Sequence, residues 1–203
     1  GATTAEFAIK VAQTIPSGTK PQQVAVQSSE LPASFRHTAI PKLDKDAFLV
    51  ARVTDWEKLN LLAGNVQIFF EGTYVTESYI DPSQTADTLS FSLGRDKKVI
   101  VQRQQLKDFN KTRTIGVNRE RTFGYTFKLR NTKAESITLH LEDQIPVSQD
   151  KDITVKLIEQ DGAKYNEATG KLEWDLELDP KATVELKLVF SVKHPKNKVV
   201  PGL

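Results

Sequence analysis

The chain of 203 residues contains no cysteine, no methionine and no long apolar run. The absence of cysteine excludes disulfides, thiol nucleophiles and cysteine-ligated metals. Because methionine is missing and the chain opens with Gly1-Ala2-Thr3-Thr4, we expect a mature or excised piece, with Gly1 left from a tag and any targeting signal removed. No apolar run approaches the roughly 20 residues of a membrane-spanning helix, so we expect no transmembrane segment in this chain.

Histidine is scarce, and its spacing does not indicate a metal site. No two of the three histidines stand four residues apart, and none has the His–Glu spacing of a zinc site. Two Asp-x-Asp pairs lack the pattern of a calcium loop, so we interpret them as strand-end and turn residues. The residues concerned are His37, His140, His194, Asp44, Asp46, Asp150 and Asp152.

Motifs of catalysis are missing as well. There is no glycine-rich phosphate loop and no Gly-x-Ser-x-Gly nucleophile elbow. Glu142 and Asp143 are neighbours on a predicted strand and point to opposite faces, so they do not converge for acid–base chemistry. A hydrolase using carboxylates is the remaining enzyme hypothesis, but no motif places an acid, a base and a cleft together. We therefore predict no enzyme, no catalytic residue, no metal and no cofactor.

Apolar and polar residues alternate at period two through most of the sequence, which predicts β-strands. Phe123, Tyr125, Phe127 and Leu129, for example, share one face of a predicted strand. Turn residues separate such runs at intervals of roughly 10–15 residues, which predicts a sandwich of antiparallel sheets in the C-terminal half. The predicted strands cover residues 7–11, 24–26, 35–40, 48–53, 66–70, 74–80, 88–93, 99–101, 121–130, 137–141, 153–157, 172–178 and 184–192.

Breaks in the pattern predict the turns and the boundary between two halves. Glu71-Gly72-Thr73 predicts a hairpin turn, because glycine readily supplies a positive φ. Gly94 is expected to end one strand, and a new strand resumes at Val99. The polar residues 107–114 (KDFNKTRT) are predicted to be a domain boundary.

Charge is divided into blocks along the chain. Residues 95–133 carry 12 basic residues against 3 acidic ones, and residues 134–179 carry 4 against 12. The favoured interpretation is that the two blocks pair across neighbouring strands. The alternative is a basic surface that binds a polyanion, such as acidic polysaccharide or lipid head groups, with nucleic acid as a formal alternative.

Two features supply candidates for an interaction surface. Trp56 lies in a predicted turn over residues 55–60 and is either packed on the sheet or an exposed anchor for a partner, whereas Trp174 belongs to an apolar row and is predicted core. The basic stretch supplies the other candidates. The candidate surface consists of Trp56, Arg95, Lys97, Lys98, Arg119 and Arg121.

Several short segments occur in an order that resembles a known family. Together they are similar to the C-terminal domain of mucoidy-inhibitor-A-like proteins, the DUF4139 family, a domain of unknown function. The resemblance covers about residues 7–195. The segments are 31–36 (LPASFR), 39–44 (AIPKLD), 49–56 (LVARVTDW), 65–75 (NVQIFFEGTYV), 92–96 (SLGRD), 142–148 (EDQIPVS) and 174–180 (WDLELDP).

This resemblance implies a β-rich half followed by an immunoglobulin-like sandwich. It also implies a longer parent protein with an N-terminal β domain and a coiled coil. Export signals in the family imply a bacterial periplasmic or envelope setting. The family supplies no agreed catalytic residues, so none is carried over to this chain.

We therefore predict an all-β chain with a β-rich N-terminal region (residues 1–108), an immunoglobulin-like antiparallel β-sandwich (112–195) and a C-terminal tail (196–203). The predicted function is a non-enzymatic interaction or structural module of a bacterial cell-envelope protein, with a protein partner in the envelope. The alternative is a carbohydrate- or polyanion-binding module that uses the basic stretch 95–133. No nucleic-acid partner is predicted.

Overall fold

The computed structural model describes residues 4–5, 31–54, 56, 63–70, 72–81, 83, 88–109, 111–198 and 200. The strands predicted at residues 7–11 and 24–26 lie outside these ranges. The described strands are β1 (Thr4–Ala5), β2 (Leu31–Ala39), β3 (Asp46–Thr54), β4 (Gly64–Phe70), β5 (Thr73–Ile80), β6 (Thr88–Gln105), β7 (Lys111–Ile115), β8 (Asn118–Asn131), β9 (Ile137–Gln144), β10 (Thr154–Glu159), β11 (Lys164–Asn166), β12 (Lys171–Leu178) and β13 (Thr183–Pro195).

The prediction of an all-β chain is confirmed. Antiparallel pairs in the described part of the chain include β8 with β13, β9 with β12 and β4 with β5, whereas β2 and β9 run parallel and place His37 beside Leu139. A 3₁₀ turn at Lys107–Phe109 separates β6 from β7. In the part of the chain that the structure describes, no helix has the length and apolarity needed to cross a membrane.

The chain divides into two compact units. Unit 1 comprises Gly1–Phe35 and Leu49–Gly94, and unit 2 comprises Arg36–Phe48 and Arg95–Leu203. The division therefore falls inside strands and differs from the predicted boundary at residues 107–114. That polar segment belongs to unit 2, because its β7 pairs along β8 from Lys111–Thr122 to Ile115–Asn118.

Strand β6 explains why the boundary was misplaced. It runs without a break for 18 residues, although Gly94 was expected to end it. Gly94 adopts a φ of 104°, which only glycine tolerates well, and so lets the strand continue. The polar residues after it are held by their neighbours: Lys97 contacts Asp46, and the carbonyl of Lys98 accepts a hydrogen bond from the Thr132 N–H at 2.9 Å.

Unit 1 has its own small core, and Trp56 lies in it. The β4–β5 hairpin forms as predicted, with Gly72 at a φ of 73°. Trp56 is only 3% exposed, so the hypothesis of an exposed anchor is wrong and the indole packs inward instead. Burial of this large apolar ring stabilises the unit. The core consists of Val53, Trp56, Ile68, Ile80, Leu89 and Phe91.

Unit 2 has a sandwich-like core formed by one sheet that folds over itself. The strand order is β10-β13-β8-β6-β3-β2-β9-β12-β11, with β7 added beside β8. In a flat sheet β8 and β12 would lie roughly 24 Å apart, five strand spacings away. The rings of Phe127 on β8 and Trp174 on β12 are instead 5.3 Å apart. The two halves of the sheet therefore face each other across the core.

Candidate functional site

The candidate site is built where two apolar strand faces change to basic residues. On β8 the inward positions from Leu129 back to Phe123 are apolar, and the same face continues with Arg121 and Arg119. On β13, the inward row ends at Val192, and the next residue on that face is His194. Because side chains alternate along a strand, these three polar residues lie on the face that carries the core, beyond its apolar end.

Strand pairing brings these residues together. Arg119 is directly opposite His194, and Arg121 is opposite Val192. On the other side of β8, Thr112 of β7 is opposite Arg121. The arrangement places two guanidinium groups in the middle of a three-stranded surface.

The chain after β13 completes the site. The N–H of Lys196 donates to the carbonyl of Val117 at 3.1 Å, which attaches this segment to the β7–β8 turn. Gly116 permits that tight two-residue turn with a φ of 58°. The result is a groove of about 310 Å³, hereafter the basic groove, lined by Thr112, Arg119, Arg121, His194, Lys196, Lys198 and Val200.

The positive charge of the basic groove is only partly neutralised. Among the described residues Arg119 and Lys196 form no ion pair, whereas Lys198 contacts Asp150 and lies 3.4 Å from Asp152. The hydrogen bond from Lys198 lowers the pKa of the Asp150 carboxyl, so that carboxyl stays ionised. Arg121 lies over the ring of Phe123, 4.9 Å from its centroid, and this contact orients the guanidinium.

His194 offers the groove a polar atom from a buried side chain. The residue is 8% exposed, and its Nδ1 donates a hydrogen bond to the carbonyl of Pro195 at 2.9 Å. That carbonyl can only accept, so the proton is on Nδ1. No hydrogen-bond partner of Nε2 is found within the described ranges, and the imidazole lines the groove.

The predicted candidates separate into two groups. Arg119 and Arg121 meet in the basic groove, whereas Arg95 and Lys97 are engaged in ion pairs with Asp44 and Asp46 at 2.5–3.0 Å. A hydrogen bond from the Asp46 backbone N–H, followed by one from Arg95, lowers the pKa of the Asp44 carboxyl.

Two other predicted residues also lie outside the groove. Lys98 is exposed on β6, outside the groove, and Trp56 is buried in unit 1. The residues of the predicted surface therefore do not form one site.

Residues of the basic and acidic blocks do meet, but not across neighbouring strands as that interpretation predicts. Arg103 on β6 pairs with Asp143 on β9, which is not adjacent to β6 in the sheet, and Lys133 pairs with Glu135 within the β8–β9 turn. The partners of Arg95 and Lys97 are instead Asp44 in the β2–β3 connection and Asp46 at the start of β3, long before the acidic block. Sequence order could not reveal this, because β3 and β6 become neighbours only in the folded sheet.

Most residues of the basic groove were missed from the sequence. His194, Lys196 and Lys198 follow Arg121 by more than 70 residues. The available signal was the charge of the C-terminal end, since residues 180–203 carry 5 basic residues against 1 acidic residue. A groove with guanidinium, ammonium and imidazole groups can bind anions through charge-assisted hydrogen bonds.

Comparison with known proteins identifies the family. The family described as "Domain of unknown function (DUF4139)" matches residues 1–196, so the chain belongs to this family. The chain is also similar to "Protein F37C4.5" of Caenorhabditis elegans, with 22% identity over 204 residues. That alignment covers 94% of this chain and 37% of the relative, so the chain spans little more than a third of the relative's length.

Proposed function

We propose that this member of the DUF4139 family is a non-enzymatic interaction module that binds an acidic polysaccharide in its basic groove. The observation that carries the proposal is the convergence of Arg119, Arg121, His194 and Lys196 on one groove. These residues come from two strands and the segment that follows β13, so the cluster depends on the fold and is not a local run of charge.

The geometry favours a polymer that carries repeated carboxylates or sulfates. The two arginines on β8 are two residues apart, which spaces successive guanidinium groups by roughly 6–7 Å along the strand. Each planar guanidinium can bind a carboxylate through two parallel hydrogen bonds. A chain of acidic sugars that follows the strand would contact both arginines and then Lys196.

The test is binding of a defined oligogalacturonate to the full chain, measured by calorimetry at several salt concentrations. We expect affinity to fall about ten- to hundredfold between about 50 and 200 mM salt, because bound counterions are released. A neutral maltodextrin of equal length should not bind. Binding to vesicles of phosphatidylglycerol is measured in parallel. Tighter binding to the vesicles than to the oligosaccharide would overturn the choice of ligand.

Charge-reversal variants locate the site. Arg119→Glu with Arg121→Glu should reduce affinity at least tenfold, because two attractive contacts become repulsive. Arg130→Glu with Lys156→Glu is the matched control, since it changes net charge equally at exposed positions outside the groove. Equal losses in both variants would show that binding is a property of overall charge and would contradict the groove.

A protein partner is the second candidate, and a sheet edge favours it. Strand β10 ends the strand order of the unit 2 sheet, and Ile158 on it is 53% exposed. Exposed edges pair readily with a strand of another chain. Crosslinking pull-down at high salt tests this function, because capture through an edge strand should persist where capture by the basic groove is lost.

The proposal also includes the subfamily of the protein and its location in the cell. The sequence segments that resemble mucoidy-inhibitor-A-like proteins support a bacterial periplasmic or envelope-associated protein. Fractionation of the source cells, with detection of the full-length parent protein, tests this. Recovery in the cytoplasmic fraction alone would exclude the envelope location and leave the binding assay unaffected.

A further inference from the structure

A second polar cluster lies on the outer face of the β9–β12 pair, away from the basic groove. His140 and Glu142 are two residues apart on β9 and therefore point to the same side. Glu173 on β12 is directly opposite Glu142, and Asp175 is directly opposite His140. Four side chains from two strands thus converge on one patch through strand register alone.

The donor atoms have the spacing that a small metal ion requires. His140 Nε2 is 3.0 Å from Glu142 Oε1 and 3.7 Å from Glu173 Oε1. Tetrahedral zinc, with bonds of about 2.0–2.2 Å, places its ligand atoms about 3.3–3.6 Å apart. One ligand atom from each of the three residues lies within 4.8 Å of the others. Small rotations of the carboxylates suffice to bring them to this geometry.

Asp175 fixes which imidazole nitrogen faces the carboxylates. Its Oδ1 is 2.6 Å from His140 Nδ1, and a carboxylate accepts hydrogen bonds, so Nδ1 carries the proton. In the neutral imidazole the Nε2 lone pair then faces carboxylate oxygens of Glu142 and Glu173, which are acceptors too. A metal ion bound between these three atoms would relieve the repulsion between their lone pairs. A carboxylate behind the histidine is the usual partner of a metal-bound imidazole.

His140 is also sheltered in a way that an ordinary surface histidine is not. It is 7% exposed although it is on the face opposite Leu139 and Leu141 of the core. Desolvation strengthens the interaction of a cation with its ligands. Lys171 is the competitor, because its Nζ lies 3.1 Å from Glu142 and 2.8 Å from Glu173.

We propose that His140, Glu142 and Glu173 form a binding site for a divalent transition ion of the zinc type. Asp175 orients the imidazole, and Lys171 neutralises the carboxylates when no metal is bound. The mixed nitrogen and oxygen ligands favour zinc over calcium or magnesium, which prefer oxygen ligands alone. This site is independent of the proposed polysaccharide function, and the failure of either leaves the other standing.

The experiment is a titration of the metal-stripped, tag-free full chain with Zn²⁺, followed by calorimetry and equilibrium dialysis. We expect one ion per chain. His140→Gln, Glu142→Gln and Glu173→Gln should each weaken binding at least tenfold, and Asp175→Asn should weaken it about 10- to 100-fold through the orientation of the imidazole. Lys171→Gln should strengthen binding severalfold, because it removes the competing cation.

Glu177→Gln is the matched control. Glu177 lies on the same face of β12, two residues beyond Asp175, and is exposed. It should leave zinc affinity unchanged. Circular dichroism confirms that each variant is folded. The proposal is overturned if both the wild-type chain and Lys171→Gln fail to bind zinc, or if Glu177→Gln weakens binding as much as Glu142→Gln, which would indicate general attraction to an acidic surface.

Discussion

The Nε of Arg103 donates a hydrogen bond of 2.6 Å to Asp143, whose side chain is fully buried. The same guanidinium lies over the ring of Tyr125, 3.7 Å from its centroid. Asp143 also accepts a hydrogen bond from the Gln144 N–H at 2.6 Å. This pair joins the basic stretch to the acidic stretch inside unit 2, so Arg103 serves the fold and is not available to a ligand.

Removal of Arg103 should therefore destabilise the chain strongly. Arg103→Met leaves the Asp143 charge buried without its partner, which costs about 3–5 kcal/mol of the free energy of unfolding. Urea unfolding of the wild type and the variant measures the difference. Lys97→Met is the control, because the Lys97 side chain is 69% exposed in its pair with Asp46 and its loss should cost about 1 kcal/mol or less. Equal effects of the two substitutions would contradict the importance of burial.

Asp96 should make stability depend on pH in the acid range. Desolvation opposes its ionisation, but hydrogen bonds from His37 and the Lys98 N–H, together with Lys133, lower its pKa below the ordinary 3.8. As the pH falls, Asp96 is therefore protonated at a higher pH in the unfolded chain than in the folded chain. The stabilisation is complete above about pH 5 and is lost as the pH falls below 3.8 through the pKa of the folded state.

The measurement compares the wild type with Asp96→Asn by urea unfolding across that pH range. We expect the variant to be less stable by about 1–3 kcal/mol near neutral pH, because charge-assisted hydrogen bonds are lost. The difference should shrink as the pH falls below the ordinary pKa of aspartate. A difference that stays constant or grows in acid would show that Asp96 is not ionised in the folded chain.

Gly170 should not tolerate a side chain. It has a φ of 74°, and a Cβ built on it would lie 2.2 Å from the carbonyl oxygen of Ile145. Its own carbonyl accepts a hydrogen bond from the Ile145 N–H at 2.9 Å, so the two segments cannot easily separate. Gly162 has a similar φ of 78° but nothing within 4 Å of the same position.

Comparison of alanine substitutions at the two glycines separates the cost of backbone strain from the cost of a steric clash. Gly162→Ala should cost about 1–2 kcal/mol from the unfavourable backbone conformation alone. Gly170→Ala should cost a further 1–3 kcal/mol or so, because backbone atoms must move. Thermal unfolding of both variants tests this expectation. If the two variants unfold at the same temperature, the prediction is wrong. The backbone around Ile145 would then move away from the added Cβ at little cost in free energy.

The local alternation of apolar and polar residues was sufficient to predict most strands of unit 2. The alternation around Phe127, Leu139, Trp174 and Leu188 predicted β8, β9, β12 and β13 and their buried faces, because a half-buried strand requires period two. Gly72 likewise marked the β4–β5 turn. These features depend on residues close in sequence, so they could be recognised without knowledge of the fold.

The local sequence pattern placed strand ends wrongly where residues that are distant in sequence but close in space stabilise a segment that contains strand-breaking residues. Gly94 and the charged residues after it look like the end of a strand, yet β6 continues through them because Asp46 supplies a partner. The polar segment before β8 looks like a linker, yet β7 pairs there along β8. In both places hydrogen bonds and ion pairs from a distant strand outweigh weak local propensity.

The sequence by itself determined that the chain is all-β, which side chains are buried on most strands of unit 2, and that its middle is basic. Only the tertiary structure decided which charges remain open to a ligand and which are paired. Arg119 meets His194, and His140 meets Glu173, because antiparallel register places them opposite or diagonal to one another. Register is set by the packing of whole strands against a shared core, and no single segment of the sequence contains that information.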